Sequence, residues 1–356
     1  MVDSLRAKPK IAFYGNNSDK IGAGHIMRLY ALAQAAEDRF EINFLYKICS
    51  EALLNKLEQA NFNCIQVSNT LTKNEIKAYD FKAIFVDDYE LTLSEWRQLS
   101  ELDSYLVKLD DALDNSPIFA DLVVNPAPNC TSADYLLRAP RASYCLGPEF
   151  TYLRKEFALS KFIPALQRPN LLLTLGGTDV KSMALPLSQA LLKVIPQCQI
   201  QLLLGKPHQD QTSLQWLSRQ YRNFTIVCDP PSVAEIMMQA GLAVSAAGGT
   251  LGELASQGVP TLSLVTVDNQ VPAMTSPLNN TWYQTIDSRD YEPSDGDTQS
   301  NRNIINTIAL QTRSIWHNKC LRQRMSDQAC QLIDSQGCQR VIDRLVIGLK
   351  EKSEHQ

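Results

Sequence analysis

Ile11-Ala12-Phe13-Tyr14, then a polar loop, then Ile21-Gly22-Ala23-Gly24-His25-Ile26-Met27-Arg28 decide how the chain begins. Four apolar residues in a row suit a short strand buried on both faces. The glycines let the backbone turn. From Ile26 to Glu37, Ile26, Leu29, Ala33 and Ala36 fall at helical spacing. Strand, glycine loop and helix in that order open a parallel α/β domain. Outward from there the alternation continues. Ile42 to Tyr46 reads as a strand, Glu51 to Gln59 as a helix and Ala83 to Val86 as a strand stopped by Asp87 and Asp88; Tyr105 to Leu109 and Leu122 to Val124 follow as strands.

Phe162 to Pro169 carries two prolines and reads as a linker. A second α/β series follows, with strands at Asn170 to Leu175, Gln201 to Leu204, Phe224 to Val227, Leu242 to Ser245 and Thr261 to Leu264. Helices are expected at Met183 to Val194, after a capping box of Ser232 and Glu235, and at Thr250 to Ser256. Asp268 to Arg302 is polar and irregular and reads as a long loop. Helical spacing returns from Ile304 to Leu349. The expected division is an N-terminal Rossmann-like domain over 1–161, a C-terminal one over 170–303, and C-terminal helices over 304–356 packing on both.

The 356 residues suit about two domains. Hydrophobic residues make up 44 % and charged residues 20 %, as in a globular protein. Thirty-four basic against 38 acidic residues give a net charge of −4. That is no footprint for a nucleic-acid partner. No apolar run reaches the roughly 18 residues of a spanning helix, and the charged start has no signal-peptide core. The nine cysteines contain no C-x-x-C pair, which fits reduced thiols and a cytoplasmic protein. No metal-ligand cluster, G-x-S-x-G elbow or H-E-x-x-H is present. No metal and no cofactor is expected, and a monomer is the simplest arrangement. His208, His317 and His355 lie in polar or helical contexts and read as surface residues.

Four segments can carry chemistry. Gly22 and Gly24 let backbone amides approach a ligand at the start of a helix, where an anion is favoured, and His25 would stand beside it as a base. Met27 stands where a dinucleotide fingerprint needs its third glycine. The plainer alternative is a capping turn with a packed histidine, and spacing alone leaves both open. Asp87 and Tyr89 follow a strand, where ligands of open α/β sheets bind. They would contact sugar hydroxyls or tune a histidine, or merely end the strand; Asp110 and Asp111 repeat the situation. Gly176-Gly177-Thr178 and Ser245 through Gly248-Gly249-Thr250 are glycine turns between strand and helix, suited to a diphosphate. Glu253 is either the acidic half of a capping box with Thr250 or a carboxylate for the two hydroxyls of a ribose.

In these segments the sequence resembles the UDP-2,4-diacetamido-2,4,6-trideoxy-β-L-altropyranose hydrolases of pseudaminic acid biosynthesis. That family is related to the GT-B glycosyltransferases, including the lipid II-forming N-acetylglucosaminyltransferases. The resemblance is carried by Ile21 to Arg28, Val86 to Tyr89, Asp110-Asp111, Ala120 to Pro126, Leu146-Gly147-Pro148 and Leu153 to Phe157. In the second half it is carried by Leu175 to Asp179, Gly248-Gly249-Thr250 with Glu253-Leu254, Gly258-Val259-Pro260 and Asn269-Gln270. It implies a GT-B-like fold of two Rossmann-like parallel-sheet domains facing a central cleft. It implies His25 as catalytic histidine with Tyr89 beside it, and Gly22, Gly24, Arg28 and Asp87 as substrate contacts. UDP would lie on Gly176, Gly177, Thr178, Ser245, Gly248, Gly249 and Thr250, with Glu253 at the ribose and Asn269 and Gln270 nearby. The implied reaction is release of UDP and free 2,4-diacetamido-2,4,6-trideoxy-L-altrose with water as the second substrate. A GT-B glycosyltransferase using an acceptor, and a non-catalytic nucleotide-sugar binding module, are the alternatives. Relatives carry R-x-D at the end of the first strand, where this chain reads Tyr14-Gly15-Asn16.

Overall fold

The computed structural model describes residues 7–17, 23–111, 116–159, 163–176, 179–205, 210–295 and 298–354. The chain divides into two compact units, Met1–Lys155 with Gln336–Gln356, and Glu156–Ser335. The first unit runs β1 (Lys10–Gly15), α1 (Gly24–Ala36), β2 (Glu41–Tyr46), α2 (Glu51–Gln59), β3 (Asn63–Gln66), α3 (Lys73–Lys77), β4 (Ala83–Asp87), α4 (Leu93–Ser100), β5 (Tyr105–Leu109), β6 (Leu122–Asn125) and β7 (Ser143–Leu146). After α5 (Lys155–Leu159), the second runs β8 (Asn170–Thr174), α6 (Ala184–Val194), β9 (Gln199–Leu204), α7 (Gln211–Gln220), β10 (Phe224–Cys228), α8 (Val233–Met238), β11 (Ala240–Ala246), α9 (Thr250–Ser256), β12 (Thr261–Val265), α10 (Pro272–Thr275), β13 (Tyr283–Asp287), α11 (Gln299–His317) and α12 (Lys319–Leu332). The last helix, α13 (Gly337–Glu354), returns to the first unit.

The first sheet has seven parallel strands in the order β3-β2-β1-β4-β5-β6-β7. Ile11, Phe13, Phe85 and Val107 face a core that includes residues of α1 and α13, and Phe13 stacks between Phe44 and Phe85 at 5.4 and 4.7 Å. Ala12, Tyr14, Ile84, Val86 and Leu106 face the other core with α3 and α4. Both faces are covered, so the strands read as unbroken apolar runs. The strand order reverses between β1 and β4, where Gly15 pairs with Asp87. In open α/β sheets the carboxyl end of such a switch point is where ligands bind.

The second sheet repeats the plan with six parallel strands, β10-β9-β8-β11-β12-β13. Its order reverses between β8 and β11, where Thr174 pairs with Ser245. The sequence expectation needs three corrections here. The stretch expected as a loop, 268–302, holds β13, paired in register with β12. Strands β3 and β7 were not expected either. β3 (Asn63-Cys64-Ile65-Gln66) has no apolar run because it is an edge strand with exposed ends.

Glu95 ties three segments of the first unit together. It closes a capping box with Thr92 at the start of α4 and accepts from Lys47 Nζ at 2.7 Å and the Leu71 amide at 2.9 Å. Burial alone would raise its pKa, but the Lys47 ammonium and the Leu71 and Thr92 donors outweigh it and hold it at about 2. Its stabilising effect is therefore complete above an unfolded-state pKa of about 4.3 and is lost as pH falls toward the folded value. Glu95→Ala is expected to cost about 3 kcal/mol at pH 7, since it strands a half-buried ammonium. Urea unfolding at pH 7 and pH 3 checks this, the cost being smaller at pH 3.

Candidate active site

At the first switch point, α1 starts with no side-chain cap at Ala23, and there is open space where a Cβ on Gly24 would stand. The next residue, His25, is 7 % exposed, and its Nδ1 lies 2.6 Å from Asp87 Oδ1 at the end of β4. Arg28, one helical turn on, donates from Nε to Asp87 Oδ2 at 2.9 Å and from Nη2 to Oδ1 at 2.8 Å. Its Nη1 donates to Asp111 Oδ2 at 2.5 Å, and Tyr89 Oη donates to Asp111 Oδ1 at 2.5 Å. The Tyr89 ring meets the His25 ring edge-on, 4.6 Å between centroids at 84°. The i, i+3 spacing of His25 and Arg28 on α1 puts both on one helix face, toward the ends of β4 and β5.

This geometry selects a tautomer. A 2.6 Å approach of Nδ1 to a carboxylate oxygen requires a proton between them, so Nδ1–H donates to Asp87. Arg28 Nη2 also lies 3.1 Å from Nδ1, farther than the 2.8 Å at which it donates to Asp87 Oδ1. Neutral His25 then keeps an acceptor at Nε2. Burial pushes the Asp87 carboxyl up, but the Arg28 guanidinium and the His25 bond outweigh that and hold it below the usual carboxylate range. Burial and the neighbouring Asp111 push the Tyr89 phenol well up. Tyr89 is therefore a neutral hydrogen-bonding group and not a phenolate base. Both oxygens of Asp87 and all three nitrogens of Arg28 are engaged within this cluster, so their geometry is that of groups that hold His25.

The two residues that replace R-x-D at the end of β1 are spent internally. Asn16 Oδ1 accepts from the Lys47 and Ile48 amides at 2.8 and 3.2 Å. Its Nδ2 donates to Asp88 Oδ2 at 2.9 Å and approaches Tyr14 Oη at 3.2 Å. Asn16 thus laces β1, β2 and β4 together at their carboxyl ends. The acidic pair divides in the same way. Asp110 is 3 % exposed and accepts from Tyr135 Oη at 2.8 Å and Arg138 Nη1 at 3.1 Å, while Asp111 turns to Tyr89 and Arg28. The sequence offered Asp110 and Asp111 together, one strand beyond Asp87, and the fold brings only Asp111 into the His25 cluster.

In the second unit, Gly176 follows β8 with φ of +81°, and Gly248 and Gly249 follow β11. Open space stands where a Cβ on Gly176 or Gly249 would be, and on Gly248 it would meet only Gln270 Nε2 at 4.0 Å. Gln270 Oε1 is occupied by the Thr266 amide at 2.8 Å and Thr266 Oγ1 at 3.1 Å, which aims its amide nitrogen toward Gly248. Asn269 is exposed in the same turn. Ser245 is fully buried and donates to the Ala246 carbonyl at 3.1 Å. The expected Thr250–Glu253 capping box does not form: Gly249 is the N-cap of α9 and no side chain caps it. Thr250 already belongs to the helix, so its hydroxyl is not in the capping position. Ser232 does accept from the Glu235 amide at the start of α8. Gly22, Gly177 and Thr178 lie outside the described residues, as do His208 and His355, while His317 is exposed at the end of α11. Among the described residues, no group of His, Cys, Asp and Glu is arranged to hold a metal ion, and no helix is long and apolar enough to cross a membrane.

The chain matches no protein-family profile. It is 26 % identical over 270 residues to an uncharacterised protein of Methanocaldococcus jannaschii, covering 72 % of this chain and 55 % of that one, so it spans about half the length of that relative. It is 21 % identical over 246 residues to the UDP-2,4-diacetamido-2,4,6-trideoxy-β-L-altropyranose hydrolase of Campylobacter jejuni, covering 68 % of this chain and 87 % of that protein. Identity to the spore coat polysaccharide biosynthesis protein SpsG of Bacillus subtilis is 22 % over 266 residues, 73 % of this chain and 78 % of that one. Among solved structures, MurG of Acinetobacter baumannii superposes with a TM-score of 0.59 at 15 % identity, covering 94 % of this chain and 98 % of that one. The calicheamicin glycosyltransferase CalG4 gives 0.62 at 11 % identity, covering 96 % and 98 %. A UDP complex of MnaA from S. aureus gives 0.59 at 12 % identity, covering 95 % and 96 %. The fold is that of the GT-B glycosyltransferases, two Rossmann-like α/β units each built on a parallel sheet.

Proposed function

We propose that the protein is a metal-independent nucleotide-sugar hydrolase, cleaving a UDP-sugar at the anomeric carbon to give UDP and free sugar. The substrate that the Campylobacter relative's name points to is UDP-2,4-diacetamido-2,4,6-trideoxy-β-L-altropyranose; the free 2,4-diacetamido-2,4,6-trideoxy-L-altrose would, by the family resemblance of the sequence, feed pseudaminic, or nonulosonic, acid biosynthesis. The observation that carries this reading is the His25–Asp87 pair, which leaves His25 Nε2 as an acceptor at a sheet switch point. Nε2 takes the proton of a water as its oxygen attacks the anomeric carbon. The C–O bond to UDP breaks, and the imidazolium that forms is stabilised by Asp87 behind it. Attack opposite the leaving group inverts the anomeric centre.

UDP leaves as an anion. Backbone donors of the turn from Ser245 to Thr250 hold its diphosphate beside the Gly176-Gly177-Thr178 stretch, with Glu253 at the ribose and Asn269 and Gln270 adding polar contacts. Preset amides of this kind stabilise developing charge without a metal. The first cluster suits the uncharged sugar instead: Asp87 and Asp111 engage all three nitrogens of Arg28, so its guanidinium is not presented to a phosphate.

Two experiments test the parts separately. With no acceptor present, the protein is expected to release UDP from the diacetamido substrate and not from UDP-N-acetylglucosamine. UDP bound without release would favour a transferase awaiting its acceptor, the reading that the glycosyltransferase fold supports. Gly248→Val fills open space in the free protein, so folding is expected to be unchanged. Calorimetry should show UDP affinity weakened about 10- to 100-fold, roughly 1.4–2.7 kcal/mol. Unchanged affinity would remove the β11 turn from the nucleotide site.

A further inference from the structure

We infer that Asp111 is a positioning residue for the proposed hydrolysis, fixing the orientation of His25 through Tyr89. This role presupposes the hydrolase reading above. Among the described residues His25 is hydrogen-bonded at Nδ1 alone, so the tilt of its ring is left to what packs against it. The Tyr89 ring across it removes that freedom. Tyr89 is 54 % exposed, so packing alone does not hold it. Its hydroxyl is held by Asp111 Oδ1 at 2.5 Å. Asp111 in turn is fastened by Arg28 Nη1 at 2.5 Å, and Arg28 grips Asp87 with its other two nitrogens. The contacts close a circuit, His25–Asp87–Arg28–Asp111–Tyr89–His25, drawn from α1 and the ends of β4 and β5. The backbone next to Asp111 is set by Asp110, which is anchored to Tyr135 and Arg138.

The circuit gives Asp111 two effects on one ring. It restrains the ring's rotation through Tyr89, and its charge adds to that of Asp87 in favouring the imidazolium. The other charged or titratable groups around the pair are Arg28 on the same helix, Lys108 on β5, whose charge reaches Asp87, and Tyr152, a neutral phenol near Arg28.

The test uses Asp111→Asn, Tyr89→Phe and the double variant of the full chain, with the diacetamido UDP-sugar. Each single change is expected to lower kcat about 10-fold, a typical cost of misplacing a catalytic group, with KM nearly unchanged. The double variant should be no slower than the slower single variant, because both remove one restraint. Full kcat in a folded Asp111→Asn protein, or losses that multiply in the double variant, would overturn the role. His25 imidazole nitrogen NMR in the unliganded protein separates this from the function itself. Wild type should show one Nδ1–H tautomer, and Asp111→Asn a signal broadened by a loosened ring. If wild type turns over no UDP-sugar the hydrolase reading fails, and unchanged His25 signals in Asp111→Asn would sink the positioning role on their own.

Discussion

Replacing His25 by alanine is expected to lower kcat by about 10²- to 10⁴-fold, the usual range for loss of a general base, with UDP affinity left near its wild-type value. Among the described residues at this switch point, no other group is placed to take the proton. Tyr89 is a neutral phenol bonded to Asp111, Asp87 is spent on Arg28 and His25, and Asp88 is turned to Asn16. Water and a leaving diphosphate remain in the variant, so a residual rate above the uncatalysed one is expected from charge stabilisation alone. Steady-state kinetics alongside calorimetric UDP titration checks both halves. A rate near that of wild type, with UDP still binding, would show that His25 does not handle the proton.

Asp87→Asn is expected to reach a comparable loss, about 10²- to 10⁴-fold in kcat, by a different route. An asparagine oxygen accepts from only part of what Asp87 now serves: His25 Nδ1, Arg28 Nε and Arg28 Nη2. Its amide can instead donate to Nδ1, which moves the imidazole proton to Nε2 and removes the acceptor that water needs. The same change leaves Arg28 short of its buried counter-charge, so a stability loss of about 3 kcal/mol is expected at pH 7. The folded pKa of Asp87 is depressed. Its stabilising effect is complete above an unfolded value of about 3.9 and disappears as pH falls through the folded one. The stability gap between wild type and Asp87→Asn should therefore narrow on acidification. Denaturant unfolding at pH 7 and pH 3 measures this, and a gap that widened at low pH would contradict the assigned ionisation. Since His25 and Asp87 act as one unit, the double variant should be no slower than His25→Ala.

The parallel strands of both units were legible because a strand covered on both faces must be apolar throughout, as in Ile11 to Tyr14 and Ala83 to Val86. What escaped were edge strands. β3 and β13 hold few apolar residues, and β13 is recognisable only by its register with β12. The acidic residues were legible as candidates but not by role. Asp87, Asp88, Asp110 and Asp111 look alike as paired carboxylates after strands. Their partners, His25 with Arg28, Asn16, Tyr135 with Arg138, and Tyr89 with Arg28, sit 22 to 83 positions away, so only the register of the sheet assigns them. Asn16 carries the same lesson. In the sequence it is only the residue that stands where relatives carry the aspartate of R-x-D, and its bonds to Asp88 and to the Lys47 and Ile48 amides follow from the fold. Thr250 and Glu253 matched a capping pattern that fails because the helix already includes Thr250.

Turnover in ¹⁸O-labelled water tests the central claim most directly. With the diacetamido UDP-sugar and wild-type protein, the label is expected in the anomeric hydroxyl of the free sugar, first in the inverted anomer, and absent from UDP. Label in the phosphate of UDP, or UDP held without release, would contradict attack of a His25-bound water at the anomeric carbon.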